Sequence, residues 1–479
     1  MSGYPQTIRA LDSTPRVEFA SWLLPGFCTV VFAVALLHVL FLSQGAQGLF
    51  RDSDTGWHVL NGETILNAGA LPHADSFSYT HAGQPWFAWE WMSDVLLGGA
   101  HRIAGLSGVA LVAAFAIALT AWAVARFSLS LGGNLFLIAG ASVLLLGVTS
   151  IHWLARPHVF SWLFALVFLA CAEHKRFLYV LPLAACLWAN MHGSFLLGPA
   201  ILFIYGFAGA SLASLLATFI NPYGWRLHEH VFTYLQNDYL MDHIAEFRSF
   251  SFHSAGALYV ELFLFIAVLG TIALLKQRRF GPALLAFAML HISLYSARHI
   301  PTAAVLLLPL CVAALTREAR AWPGLRPLLD YSDRLRLIDQ KIWGVVPMIL
   351  VLAGALAARD QSVGFDPAKF PVRAANFLPA GPAGRVFTKD QWGGYLIYHS
   401  AGRTKVFIDG RSDFYGQNFI ETYAQVADVK PGWQAVLKQY DVRVVLIPPD
   451  HALASALQLS PGWKRVYTDS VAVVFERVG

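Results

Sequence analysis

Charge is scarce in this sequence. Asp, Glu, Lys and Arg make up 13% of its 479 residues, 56% are hydrophobic, and the mean hydropathy is +0.53. A soluble chain of this length needs far more charge to cover its surface, so a polytopic membrane protein is expected. Cysteine is scarcer still. Cys28, Cys171, Cys186 and Cys311 all fall in apolar segments read as membrane helices, which excludes a disulfide framework and a thiolate metal cluster. No Gly-rich loop after a cytoplasmic strand offers a nucleotide-sugar site, and no internal repeat or low-complexity segment stands out. The net charge of +5 does not point to nucleic acid, because the basic residues cluster in short loops between apolar segments.

Long apolar runs are abundant. The first, from about Ser21 to Leu42, is long enough to cross a bilayer and reads as an uncleaved signal-anchor helix. Further runs begin near Leu106, Asn134, Val159, Phe177, Phe195, Ser211, Ala257, Gly281, Pro301 and Ile342. Together they predict a polytopic α-helical membrane protein of about eleven spans. Alternating the spans puts Arg126, Glu173–Arg176, Lys276–Arg279 and the Arg-rich stretch Arg317–Lys341 on one side with the N-terminus. By the positive-inside rule that side is cytoplasmic, which predicts a multi-pass protein of the plasma (inner) membrane. The division of Phe195 to Ile220 into two spans is required for this agreement. Residues 1–358 form the membrane unit, with a large outer loop at 43–105. From about Arg359 short β-branched runs alternate with helical patterns, so 359–479 is expected to be an extracytoplasmic α/β domain.

Polar chemistry collects on the outer side. Of the 17 histidines only His174 falls in a predicted cytoplasmic loop. The outer loop opens with Arg51-Asp52-Ser53-Asp54-Thr55-Gly56-Trp57-His58. Helical spacing follows from Thr55 to Asn67, with Gly69 and Pro72 as stops, so Ser53 or Asp54 is expected to cap a helix. Capping accounts for one carboxylate and leaves Asp52 and His58 unexplained. Glu90 stands among Trp86, Trp89 and Trp91, where apolar rings should raise its pKa. Arg156 and His158 flank Pro157, and Arg298 and His299 precede Pro301. An arginine fork suits a lipid phosphate, although arginine at a helix end also snorkels for structural reasons. Glu246, near Asp242 and His243, offers a ligand without a strong metal spacing.

One span followed by a large outer loop that opens on Asp-Ser-Asp resembles the GT-C superfamily of integral-membrane glycosyltransferases. The resemblance implies a polyprenyl-phosphate- or diphosphate-linked sugar donor. The carboxylate just after the first span, Asp52 or Asp54, would act as base or metal ligand with Glu90 assisting. A divalent cation, Mg or Mn, would then sit on Asp52, Asp54 and Glu246. Arg298, His299, Arg156 and His158 would hold the donor phosphate. The acceptor would be an unspecified glycan, lipid or protein.

Lys389 to Asp413 is similar to the region around the Trp-Trp-Asp-Tyr-Gly motif of oligosaccharyltransferase catalytic subunits. Trp392-Gly393-Gly394-Tyr395 occupies the comparable stretch, without the tryptophan pair or the acidic residue. The resemblance implies acceptor contacts from Trp392, Tyr395, Asp409 and Arg411. The alternative is a glycine turn followed by a short helix, with a local Asp409–Arg411 ion pair. Two other classes compete with a transferase. A transporter or flippase of lipid-linked intermediates would need charge at mid-membrane depth, where Glu261 and His291 are the candidates. A scaffold with a partner-binding tail would leave the one-sided titratable groups without a reason.

Overall fold

A computed structural model describes residues 21–42, 44–339, 341–342, 344–358, 363–379 and 384–478. The domain boundary expected at 358/359 abuts residues 359–362, outside the described ones, as does the segment 1–20.

The membrane unit is a helical bundle. Its helices are α1 (Phe27–Phe41), α2 (Asp54–Ala68), α3 (Trp91–Ser130), α4 (Leu135–Thr149), α5 (His158–His174), α6 (Leu181–Ala189), α7 (Leu197–Ile204), α8 (Ala208–Ala217), α9 (Trp225–Leu235), α10 (Asp238–His243), α11 (Ala257–Lys276), α12 (Phe280–Tyr295), α13 (Ile300–Ala319), α14 (Arg326–Asp339) and α15 (Val345–Ala357). Among the described residues five helical segments are long and apolar enough to cross a membrane: Ser21–Phe41, Trp91–Ser130, Leu135–His152, Ala257–Lys276 and Ala297–Ala319. Six apolar helices are shorter. Phe195 to Ile220 is divided, with a break at Gly206 (φ 82°) between α7 and α8. In the segment ending in α13, 83% of the apolar window is buried, so this helix forms the centre of the bundle.

The long helix α3 kinks at Ala104 and Gly105 (φ 61°), and most of its buried residues lie in the second part. The first part, Trp91 to about Ile103, packs along α2. Glycine permits that packing, because a Cβ on Gly98 would stand 2.6 Å from the Glu63 nitrogen. Helix α2 starts where its spacing predicts and ends at Gly69 in the left-handed region (φ 62°). Its cap differs from expectation. Neither Ser53 nor Asp54 caps with its side chain. Asp52 Oδ1 accepts from the Asp54 N–H at 2.9 Å, because Ser53 already has helical backbone angles and the turn begins one residue earlier.

The C-terminal unit runs β1 (Arg385–Thr388), α16 (Asp390–His399), β2 (Lys405–Val406), α17 (Ser412–Ala427), α18 (Trp433–Gln439), β3 (Val444–Ile447), α19 (Ala452–Gln458), β4 (Trp463–Thr468) and β5 (Val473–Arg477). The sheet order is β2-β1-β3-β5-β4, parallel through β2, β1 and β3 and antiparallel beyond. The outer loop joins it. Ser78 bridges Val406, and Thr80 Oγ1 donates to the Phe407 carbonyl at 2.8 Å. The expected glycine turn at 392–395 is instead the middle of α16. Its two glycines serve close packing: a Cβ on Gly393 would stand 2.7 Å from Asp409 Cα, and one on Gly394 2.8 Å from the Ser53 carbonyl carbon.

Candidate active site

The seam between helical body and C-terminal unit runs over Asp52 and Asp54. Arg156, in the turn between α4 and α5, spans both: Nη1 donates to Asp52 Oδ2 at 2.7 Å, and Nη2 lies 2.9 Å from Asp54 Oδ2. Asp54 is 6% exposed. Burial, then the neighbouring Asp52 charge, push its carboxyl up to about 7 against the pull of Arg156. A cavity of about 390 Å³ opens beside it, lined by Asp52, Asp54, Glu90, Arg156, Glu246, Arg298, Asp409 and Arg411 among others. A second cavity, of about 610 Å³, meets it at Asp52, Ser53, Glu246 and Gln391, and carries Arg51, Lys369, Lys389 and Trp392 on its wall.

Across the first cavity, Arg298 sits in the short turn before α13. Its Nη1 donates to Glu246 Oε1 at 2.7 Å, and His152 Nε2 lies 3.4 Å from Glu246 Oε2. Burial opposes ionisation of Glu246, but Arg298 and His152 outweigh it and hold the carboxyl well below the usual range. Glu90 stands at the N-terminus of α3 without a side-chain capping bond and faces the same cavity. Burial, then the Asp94 charge, push it up to about 8. The Glu90 loop is anchored by the Trp188–Ser194 stretch. Trp91 Nε1 donates to Asn190 Oδ1 at 2.9 Å, and Ser93 Oγ to the Met191 carbonyl at 2.8 Å.

Not every residue singled out in the sequence reaches a cavity wall. His158 Nε2 is spent on the His152 carbonyl at 2.8 Å, and His299, at the N-cap position of α13, lines neither cavity. Trp392 lines the second cavity and donates Nε1–H to the Lys369 carbonyl at 2.9 Å. Tyr395 points away, its ring packed against Phe365 and Phe370. Asp409 and Arg411 do form an ion pair, at 2.7 Å, but it reaches beyond the local turn: Arg411 Nη2 also donates to Asp75 Oδ1 of the outer loop at 2.7 Å. That guanidinium lies over the rings of Phe77, Trp86, Phe414 and Tyr415. Asp75, Asp94 and Asp413 are built into the site and were missed by sequence reasoning. Only Asp413 carried a signal, as the end of the Asp-Gly-Arg-Ser-Asp stretch.

Neither a protein-family model nor a curated protein matches the chain. Among solved structures, the apo oligosaccharyltransferase of Archaeoglobus fulgidus aligns with a TM-score of 0.58 over 90% of this chain and 69% of that one, at 12% identity. The Archaeoglobus fulgidus enzyme AglB, in complex with an inhibitory peptide and a dolichol-phosphate, aligns at 0.56 over 96% and 74%, at 11% identity. An A. fulgidus complex with Zn and sulfate gives 0.54 over 94% and 73%, at 12% identity. The chain has the fold of a membrane oligosaccharyltransferase. That is a GT-C fold, as the first outer loop and the tail implied.

Among the described residues no group of three or more His, Cys, Asp or Glu side chains is arranged to hold a metal ion. Asp52 and Asp54 have the hard oxygen donors that Mg or Mn prefers. In this arrangement their cation is Arg156, and Asp52 Oδ1 is spent on a backbone N–H. The two carboxylates as placed are neutralised by an arginine and are not left open for a divalent ion.

Proposed function

We propose that the chain is a membrane glycosyltransferase. It moves a sugar from a polyprenyl-phosphate or polyprenyl-diphosphate carrier to an acceptor hydroxyl or amide on the extracytoplasmic face of the plasma membrane. The observation that carries this reading is Asp54. It is a buried carboxyl poised near neutrality, gripped by Arg156, on the wall of the first cavity and next to Asp52 and Ser53, where the second cavity meets it. A two-substrate reaction needs such a meeting point.

Asp54 orients the acceptor and takes its proton as the anomeric carbon becomes cationic, with Asp52 holding the turn and sharing Arg156. Arg298 and Arg156 stabilise the charge gathering on the departing phosphate. His299 and His158 lie beside these arginines in the chain and line neither cavity; toward the acceptor, Trp392 borders the second cavity and the Asp409–Arg411 pair the first. Glu261 and His291, the candidates for a transport path, are both exposed on the outer surface of their helices, which favours the transferase over a transporter.

Mass spectrometry of co-purifying lipids tests the reading. The expected result is a polyprenyl-phosphate sugar on wild-type and Asp54→Asn protein, lost on Arg298→Ala. Bulk phospholipid alone on folded wild-type protein would remove the donor assignment.

A further inference from the structure

Beside the main cavity lies a buried string of side chains that the transfer chemistry above leaves unused. Glycines at the α2–α3 crossing bring His58 against Asp94. His58 Nδ1 lies 2.6 Å from Asp94 Oδ1, and Asn61 Nδ2 donates to Asp94 Oδ2 at 2.6 Å. Burial pushes the Asp94 carboxyl well above its usual range against the Asn61 hydrogen bond; with Asp94 ionised and one oxygen taken by each donor, the His58 proton resides on Nδ1 and Nε2 presents a bare lone pair. That nitrogen is buried and has no hydrogen-bond partner among the described residues. It is aimed at Glu90, with 3.8 Å to Oε2. Trp57 stacks on the imidazole at 3.6 Å and fixes its plane.

The other Glu90 oxygen meets a second imidazole, His192 Nε2, at 3.6 Å. Arg298 Nη2 lies 3.3 Å from that same nitrogen, and the Ser194 N–H donates to the other ring nitrogen, Nδ1, at 3.3 Å. The far nitrogen of His192 is engaged by Ser161 Oγ at 2.9 Å and Ser194 Oγ at 2.8 Å. Glu90 therefore stands between two imidazoles, with the unpartnered His58 Nε2 facing Oε2. A carboxylate has nothing to accept from that His58 nitrogen, whereas a carboxylic acid can donate to it. Burial and the charges of Asp94 and Asp413 act in the same direction, and Arg156 and Arg298 act against it.

We propose that Asp94 and His58 are a positioning pair that keeps the proton on Glu90, and that Glu90 delivers this proton to the oxygen leaving with the phosphate. The second half rests on the transferase reading; the first does not. In the step, the bond from the anomeric carbon to the phosphate oxygen breaks and its electron pair goes to that oxygen, which takes the Glu90 proton. The acceptor atom bonds the anomeric carbon and gives its own proton to Asp54. Glu90 ends ionised and Asp54 protonated, and exchange with water restores both. Asp54 is the base and Glu90 the acid, each made so by its neighbours.

The test is an infrared pH titration of the purified full chain, comparing wild type with Glu90→Gln, Asp94→Asn, His58→Phe and the Asp94→Asn/His58→Phe double variant. A protonated-carboxyl signal absent from Glu90→Gln should titrate near pH 8 in the wild type. In Asp94→Asn the imidazole proton is free to move to Nε2 and donate to a carboxylate, so the midpoint should fall by about one pH unit or more, tenfold in protonation equilibrium. In the His58→Phe background the same Asp94→Asn change should move the midpoint less than half as far. Equal shifts in the two backgrounds would show that Asp94 acts through space by charge alone and overturn the positioning role. So would a Glu90 signal already lost at pH 7. The titration needs no substrate, so its failure is separate from a failure to find carrier lipid.

Discussion

A single methyl group on Gly410 tests whether the C-terminal unit shapes the site. The backbone at Gly410 lies directly against Asp54: a Cβ there would collide with Asp54 Oδ1, and would stand 2.6 Å from Cγ and 2.8 Å from Oδ2. Ordinary contact begins near 3.4 Å, so the carboxylate has to retreat by about 1 Å. That retreat strains the Arg156–Asp54 pair, now 2.9 Å. Overpacking of this kind costs about 1–3 kcal/mol, and a displacement of about 1 Å in a reacting group costs on the order of 100-fold in turnover. Unfolding in detergent should be measured for wild type, Gly410→Ala, Asp54→Ala and the double variant. Gly410→Ala should cost about 1–3 kcal/mol when Asp54 is present and close to nothing in the Asp54→Ala background, where the colliding atoms are gone. Equal costs in both backgrounds would refute the claim that Gly410 is there to make room for Asp54.

Arg411→Met leaves Asp75 and Asp409 buried without a cation and should lower stability by about 3–5 kcal/mol, read by thermal unfolding. In a sugar-transfer assay, activity should rise with pH through about 7 as Asp54 ionises. Asp52→Asn should move that limb to lower pH by removing a neighbouring negative charge, and Asp54→Asn should abolish turnover. His230 Nε2 lies 2.9 Å from Asp413 Oδ2 and ties α9 to the C-terminal unit. Burial lowers the imidazole pKa, but the Asp413 hydrogen bond and charge outweigh it and leave it raised. The contribution of this pair is therefore complete below the ordinary imidazole range and is lost as pH rises through the raised value. Hydrogen exchange over residues 225–247 should accelerate on that alkaline side, and His230→Ala should remove the pH dependence. Arg156→Ala leaves Asp52 and Asp54 without their cation, so added Mg²⁺ should stabilise this variant more than wild type in the same melts.

Part of this architecture was legible in one dimension because it depends on composition and short-range spacing. The apolar runs, the gathering of histidine and carboxylate at one set of helix ends, and α2 with its Gly69 stop all follow from the order of residues. So do β1, β3 and β5, whose β-branched runs mark them. The exposed edge strand β4, reading Trp-Lys-Arg-Val-Tyr-Thr, carries no such alternation, and α17 is broken by Gly416 at φ 69°, so neither was read. Trp392-Gly393-Gly394-Tyr395 looked like a turn because glycine is a poor helix former. Only the approach of Ser53 and Asp409 shows that the glycines are there for contact.

The candidate site divides the same way. Asp52, Asp54, Glu90, Arg156, Glu246 and Arg298 were legible as chemistry gathered on one face. Their partners were not, because ion pairs such as Arg156 with Asp52 and Arg411 with Asp75 join residues far apart in the chain, and no local pattern encodes them. Sequence order determined that titratable groups collect at one set of helix ends and which carboxylates follow the first apolar run. The tertiary structure decided which carboxylate meets which cation, that Asp94 and His58 stand behind Glu90, and that a loop near residue 410 closes over Asp54. Burial and through-space charge set those properties, and both exist only once the chain is folded.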